Sequence, residues 1–261
     1  MASKRSAPAI TAMKAKGQRI VSVTAYDYPS ASIADACDVD LILVGDSLGN
    51  VVLGYENTIP VTLEEMEHHT RAVRRGVKEA LLVADLPFGS YNSSVQQAVD
   101  SSVRLMKAGA EAVKLEGPYT EAIRAVTKAG IPVMGHVGMT PQSVNKFGGF
   151  KVQGKGESAQ AVREAACQIE DAGAFSIVLE LVPADLAMTI TKSLSIPTIG
   201  IGAGPHCDGE VQVFHDVMGL SEQVFKHAKD YVNARSLMVE GLRKYTDEVR
   251  NNKFPTEENS F

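Results

Sequence analysis

Residues 81–116 read LLVADLPFGSYNSSVQQAVDSSVRLMKAGAEAVKLE. Leu81–Ala84 is apolar at every position, with no in-and-out alternation. A strand buried on both faces of a parallel sheet has that pattern. Ser94–Lys107 then spaces Val95, Val99, Val103 and Met106 along one helical face. Gly109 offers the turn that ends such a helix, and Ala112–Leu115 is the next buried run. The stretch reads as one strand–helix–strand unit.

The same alternation extends both ways along the 261 residues. Strands are expected at Ile20–Ala25, Leu41–Val44, Leu81–Ala84, Ala112–Leu115, Pro132–Gly135, Ser176–Leu179, Pro197–Ile201 and Val211–Phe214. Helices are expected at Leu63–Gly76, Ser158–Asp171 and Ala184–Lys192 as well. Thr62 and Glu65 have the spacing of a capping box at the first of these. About eight strand–helix alternations point to an α/β fold of the (β/α)8 TIM-barrel kind, with an open doubly wound sheet as competitor. Two echoes support a repeated architecture: 107–116 resembles 171–180, and 131–135 resembles 196–200. The chain is expected to form one domain over residues 1–261, with a short N-terminal extension. A helical tail is expected from Ser221, turning polar after Pro255. The glycine-rich insertion Gly138–Gly156 follows a strand and so belongs at the mouth of such a barrel.

Composition excludes several functions. Lys and Arg number 26 against 31 Asp and Glu, so the net charge is −5, and aromatic content is 6% with no Trp. Neither a nucleic-acid footprint nor a base-stacking platform is expected. There is no secretory pattern and no 18-residue apolar run, so no membrane association is expected. Cys37, Cys167 and Cys207 form no CxxC, which suits a reducing, cytoplasmic setting.

The polar residues fall in an informative place. Asp46, Asp85, Glu116 and Glu180 each follow a buried run, and Asp27 and His136 end two more. In a parallel barrel these ends meet at one mouth, where active sites are built. Two carboxylates about 5 Å apart repel by about 3 kcal/mol at an effective dielectric near 20. Such a cluster needs counter-charge. Lys114 supplies one positive charge, and a divalent ion would supply more. All-oxygen ligands suit Mg²⁺ or another hard ion.

Other motifs are weaker. Gly45-Asp46-Ser47-Leu48-Gly49 fits the GxSxG nucleophile elbow, with Asp208 and His215 in the order a triad needs, but no oxyanion segment accompanies it. Arg71, Arg74, Arg75 and Lys78 make a basic helical patch, read as a solvated or subunit-facing surface. Gly200-Ile201-Gly202-Ala203-Gly204 is either an anion-binding turn or a plain one.

Several blocks in order resemble a known family. They are Thr24-Ala25-Tyr26-Asp27, Val44–Gly49, Val83–Phe88, Val113–Gly117, Gly135–Ser143, Phe147–Gly154 and Ile199–Gly204. Together they are similar to the 3-methyl-2-oxobutanoate (ketopantoate) hydroxymethyltransferases over roughly residues 10 to 255. The resemblance implies a (β/α)8 barrel using Mg²⁺. It implies one-carbon transfer from 5,10-methylenetetrahydrofolate to 3-methyl-2-oxobutanoate through a Mg-stabilised enolate. The product would be 2-dehydropantoate, for pantothenate synthesis. It further implies a large homo-oligomer, often a decamer. Carried over by position, Asp46 and Asp85 would bind the metal, with Glu116 directly or through water. Asp46, Ser47, Asp85, Lys114 and His136 would line the oxo-acid site, and Glu180 would be the general base. Glu210 departs from the pattern, which has Gln there. The competing readings are a Mg²⁺-dependent lyase or mutase on the same barrel, a serine hydrolase, and a non-catalytic scaffold.

Overall fold

The computed structural model describes residues 4–222 and 225–261. Among them the chain divides into two compact units, one ending at Val213 and one running Phe214–Phe261.

The first unit is a closed barrel of eight parallel strands in sequential order. They are β1 Ile20–Thr24, β2 Leu41–Val44, β3 Leu81–Asp85, β4 Ala112–Lys114, β5 Val133–Gly138, β6 Ser176–Glu180, β7 Thr198–Ile201 and β8 Gly209–Gln212. The barrel closes where Ile20 pairs with Gly209 and Val23 with Gln212. Closure rules out an open sheet. The helices are α1 Ala7–Ala15, α2 Tyr28–Ala36, α3 Leu48–Val51, α4 Leu63–Gly76, α5 Val95–Ala108, α6 Thr120–Lys128, α7 Val144–Phe147, α8 Ser158–Asp171 and α9 Ala184–Ser193. The capping box is present: Thr62 N–H donates to Glu65 at 2.7 Å and Glu65 N–H to the Thr62 hydroxyl at 3.2 Å.

Every strand lies where expected to within three residues at either end. The buried face of α5 differs from the expected one. Its fully buried side is Ala98, Ser101, Ser102, Leu105 and Ala108, while Val99, Val103 and Met106 pack only partly. Small residues beneath the helix let it lie close on the strands, and the valines fill its flanks. Gly109 ends the helix at φ +113°, where its N–H meets the Leu105 and Met106 carbonyls. The two sequence echoes are two strands apart, at β4 and β6 and at β5 and β7.

Side chains pointing into the barrel form one apolar cluster. It holds Ile20, Leu41, Leu43, Leu81, Val83, Ala112, Met134, Val178, Ile199 and Val211, with Ala7 and Ile10 of α1. The expected N-terminal extension is therefore a helix that plugs the barrel floor. Period-2 alternation carries each inward row on toward the mouth. Leu81 and Val83 lead to Asp85, Ala112 to Lys114, Met134 to His136 and Val178 to Glu180. The inward row turns from apolar to titratable at the C-terminal mouth.

The second unit contains α10 Phe214–Val217 and α11 Ala234–Arg250. The helix expected from Ser221 is thus confined to α11; residues 223–224 lie outside those described. Asn233 caps α11 by accepting from Ser236 N–H at 3.0 Å. No α11 residue is buried, and Met238, Leu242, Tyr245 and Val249 form an exposed apolar row. Among the described residues no helix is long and apolar enough to cross a membrane.

Candidate active site

Five strand ends build the site. Asp46 follows β2, Asp85 closes β3, Lys114 closes β4 with Glu116 just beyond, His136 lies in β5 and Glu180 closes β6. Asp46, Asp85, Lys114, Glu116 and His136 are all buried, at 4, 2, 4, 3 and 1% exposure. Lys114 Nζ donates to Asp85 Oδ1 at 2.6 Å, and the Asp46 N–H donates to Asp85 Oδ2 at 3.0 Å. His136 lies between two acids, with Nδ1 3.4 Å from Glu116 Oε1 and Nε2 3.3 Å from Glu180 Oε2. These are ion-pair contacts rather than well-formed hydrogen bonds.

The electrostatics follow from burial. Desolvation, then the charges of Asp85 and Glu116, hold the Asp46 carboxyl well above the usual carboxylate range. Desolvation also raises Asp85, although Lys114 opposes it. Burial alone would lower Lys114 and His136. For Lys114 the charges of Asp85, Glu116 and Asp46 outweigh it and raise the ammonium. For His136, contacts with Glu116 and Glu180 outweigh burial and push the imidazole up to about 9. Four carboxyl groups thus face one ammonium and one imidazole. The mouth is short of positive charge.

Ser47 begins the turn into α3, and its Oγ lies 2.8 Å from the Tyr26 hydroxyl. A nucleophile elbow needs a histidine and an acid at the same end of the sheet. Asp208 instead precedes β8 at the opposite end, where it accepts from Lys14 at 2.9 Å and from Thr198 N–H at 2.8 Å. The triad of Ser47, Asp208 and His215 therefore does not form. Asp27 is exposed and caps α2 by accepting from Ser30 N–H at 2.8 Å, so it is a loop cap. In the basic patch, Arg71 pairs with Glu67 at 2.8 Å and Arg74 with Glu111 at 3.4 Å. Glu210 alternates with inward Val211 on β8 and so faces outward, where it accepts from Gln212 at 2.8 Å. The departure at Glu210 leaves the mouth untouched.

Two buried residues escape the sequence reading. Gln142 lies on the 3₁₀ turn Pro141–Ser143 after β5. Its side chain donates to Asp46 Oδ2 at 2.8 Å, and its main-chain N–H donates to Glu116 Oε2 at 3.0 Å. Tyr91, in the loop after β3, donates to Gln142 Oε1 at 2.6 Å. Burial and the Glu116 charge raise the phenol strongly, which keeps its proton in place. The signals for Gln142 are its place in the Gly135–Ser143 block and in a glycine-rich segment following a strand, and neither gives its contacts.

A closed parallel barrel with its titratable residues gathered at the strand C-termini belongs to the (β/α)8 class of enzymes. Solved structures share that fold. Phosphonopyruvate hydrolase in complex with oxalate and Mg²⁺ matches with a TM-score of 0.64 at 15% identity, covering 98% of this chain and 90% of that one. The 2,3-dimethylmalate lyase, a member of the PEP mutase/isocitrate lyase superfamily, matches with 0.63 at 15%, covering 98% and 91%. At such identity the likeness concerns the fold.

Sequence relationship is more specific. The profile of the ketopantoate hydroxymethyltransferases matches residues 4–257. The 3-methyl-2-oxobutanoate hydroxymethyltransferase of Moorella thermoacetica is 54% identical over 264 residues, covering 99% of this chain and 98% of its own. That of Syntrophus aciditrophicus is 54% identical over 257 residues, covering 97% and 94%. The chain belongs to the ketopantoate hydroxymethyltransferase family.

Proposed function

We propose that this chain transfers a hydroxymethyl group to 3-methyl-2-oxobutanoate, with 5,10-methylenetetrahydrofolate and one water supplying the carbon and its oxygen. The product is 2-dehydropantoate, a precursor of pantothenate. The observation that carries the reading is the acid-rich mouth in which buried Asp46, Asp85 and Glu116 and half-buried Glu180 gather around Lys114 and His136. Family membership supports the reaction.

The donor set suits a hard divalent cation. Among the described residues no three His, Cys, Asp or Glu side chains form a complete cage. Mg²⁺ does not need one, because it is usually held by one or two carboxylates and keeps water or substrate oxygens. Asp46 and Asp85 would hold it, with Glu116 nearby. When bound, the ion would act as a Lewis acid on the keto oxygen of the substrate.

The remaining steps fall to side chains. Lys114 and Ser47 bind the oxo acid, the first by charge and the second by its hydroxyl, which Tyr26 orients. Glu180 removes the C3 proton as general base, leaving C3 able to attack the one-carbon unit. His136 holds Glu180 on one side and Glu116 on the other. The Glu180 main chain is fixed too. Its carbonyl accepts from Met139 N–H at 2.8 Å, a contact for which Gly138 makes room: a Cβ there would lie 2.2 Å from that oxygen.

The test is solvent exchange. In D₂O, without folate, the wild-type protein should exchange the C3 proton of 3-methyl-2-oxobutanoate. Glu180→Gln should lose the exchange while still binding the oxo acid. Exchange at the wild-type rate in that variant would remove Glu180 from the role.

We further propose a homo-oligomer, most simply a decamer, located in the cytoplasm. The exposed apolar row of α11 supports association, and three free cysteines suit a reducing compartment. Light scattering would read the subunit number.

A further inference from the structure

We propose that Gln142, backed by Tyr91, is a positioning residue that fixes the Asp46 and Glu116 carboxylates for a divalent cation. The inference rests on the proposed role of those two acids.

Gln142 and Tyr91 are both buried, at 5 and 2% exposure. Their hydrogen bonds have only one possible polarity. The Leu86 carbonyl can only accept, so the Gln142 atom 3.0 Å from it is the NH₂ group. The Glu116 N–H can only donate, so the Tyr91 oxygen 3.2 Å away accepts from it. The Tyr91 proton then goes to Gln142 Oε1 at 2.6 Å, a far better contact than the Glu116 carbonyl at 3.3 Å. Two main-chain groups of fixed sign thus set the amide from both ends. Its second N–H is left with one direction, toward Asp46 Oδ2 at 2.8 Å.

The consequence reaches across the mouth. Asp46 follows β2 and Glu116 follows β4, yet a single residue after β5 holds one oxygen of each. Both contacts favour the ionised acceptor, as a metal ligand requires. A reversed amide would turn its oxygen toward the Asp46 carboxylate and the Leu86 carbonyl. Tyr91 prevents the reversal. Hydrogen bonds that orient a ligand in this way typically control metal affinity by about 10- to 100-fold.

The experiment measures bound Mn²⁺ by electron paramagnetic resonance on the intact protein, with no turnover required. Gln142→Met keeps bulk and removes the amide. Tyr91→Phe keeps the ring and removes the hydroxyl, touching neither acid's side chain. Both should weaken Mn²⁺ binding, Gln142→Met by about tenfold or more. The double variant should bind no worse than Gln142→Met, because the two act in series. Turnover by Tyr91→Phe should recover at saturating metal. Metal-free melting curves establish folding. Wild-type Mn²⁺ affinity in folded Gln142→Met, or losses that simply add, would overturn the proposal. Were Gln142→Met not to fold, unchanged affinity in Tyr91→Phe would overturn it equally. Asp85→Asn separates this from the metal site itself. Mn²⁺ binding by the wild type that Asp85→Asn abolishes leaves only the role of Gln142 at issue. Undiminished binding in Asp85→Asn would instead defeat the metal site, and this inference with it.

Discussion

The two ends of the barrel are both charged, and they handle charge in opposite ways. At the floor, Lys14 uses its three donors on the Thr191 carbonyl at 2.7 Å, the Ile196 carbonyl at 3.1 Å and Asp208 at 2.9 Å. Asp35 accepts from the N–H groups of Lys78, Glu79 and Ala80 at 2.9, 3.0 and 2.9 Å. Donors and acceptors are matched there. At the mouth, buried Asp46, Asp85 and Glu116 and half-buried Glu180 crowd around Lys114 and His136. The floor is built for stability. The mouth holds a strain that a cation can relieve.

Removing the central cation at each end should sharpen the contrast. Lys114→Met strands a buried carboxylate beside two others, so the metal-free protein should lose about 3–5 kcal/mol in urea denaturation. Its turnover should collapse as well. Lys14→Met leaves two carbonyls and Asp208 short of one donor each. It should cost about 1–3 kcal/mol and leave turnover per folded molecule unchanged. Equal losses in both variants would remove the distinction.

Titration should separate the ends more gently. Burial would raise Asp35, but three main-chain donors outweigh it and lower the carboxyl. Its stabilisation is therefore complete above the unfolded value of about 4 and is lost as pH falls through the lowered folded value. Asp35→Asn should flatten the acid limb of the stability curve. Asp46 is raised, so its sign reverses: it disfavours folding increasingly as pH rises from about 4 through the raised folded value. On the proposed metal role of Asp46, Mg²⁺ would compete with that proton. The rise in melting temperature on adding Mg²⁺ should grow as pH climbs through that raised value.

Legibility in the sequence also differs between the two ends. The mouth acids can be read because each follows an apolar run, and for Asp85, Glu116 and Glu180 a strand's alternation fixes which side they face. Asp46 is out of phase with inward Leu41 and Leu43 and reaches the mouth from the turn after β2. Lys114, two residues before Glu116, is legible for the same reason. The floor is not. Nothing local marks Ala7–Ala15 as a plug, because Ile10 is buried by strands far away in sequence. Gln142 escapes for a related reason. Its role depends on Leu86, Tyr91 and Glu116 arriving from other loops, and no periodicity encodes that meeting. The apolar row of α5 misleads because helix packing rewards small residues at closest approach as well as large ones.

Calorimetric titration with Mg²⁺, in the presence and absence of 3-methyl-2-oxobutanoate, tests the charge-deficient mouth most directly. One ion per chain should bind, more tightly with the oxo acid present, and Asp46→Asn should abolish the signal. Absence of any Mg²⁺-dependent heat with the oxo acid, or full binding by Asp46→Asn, would contradict it.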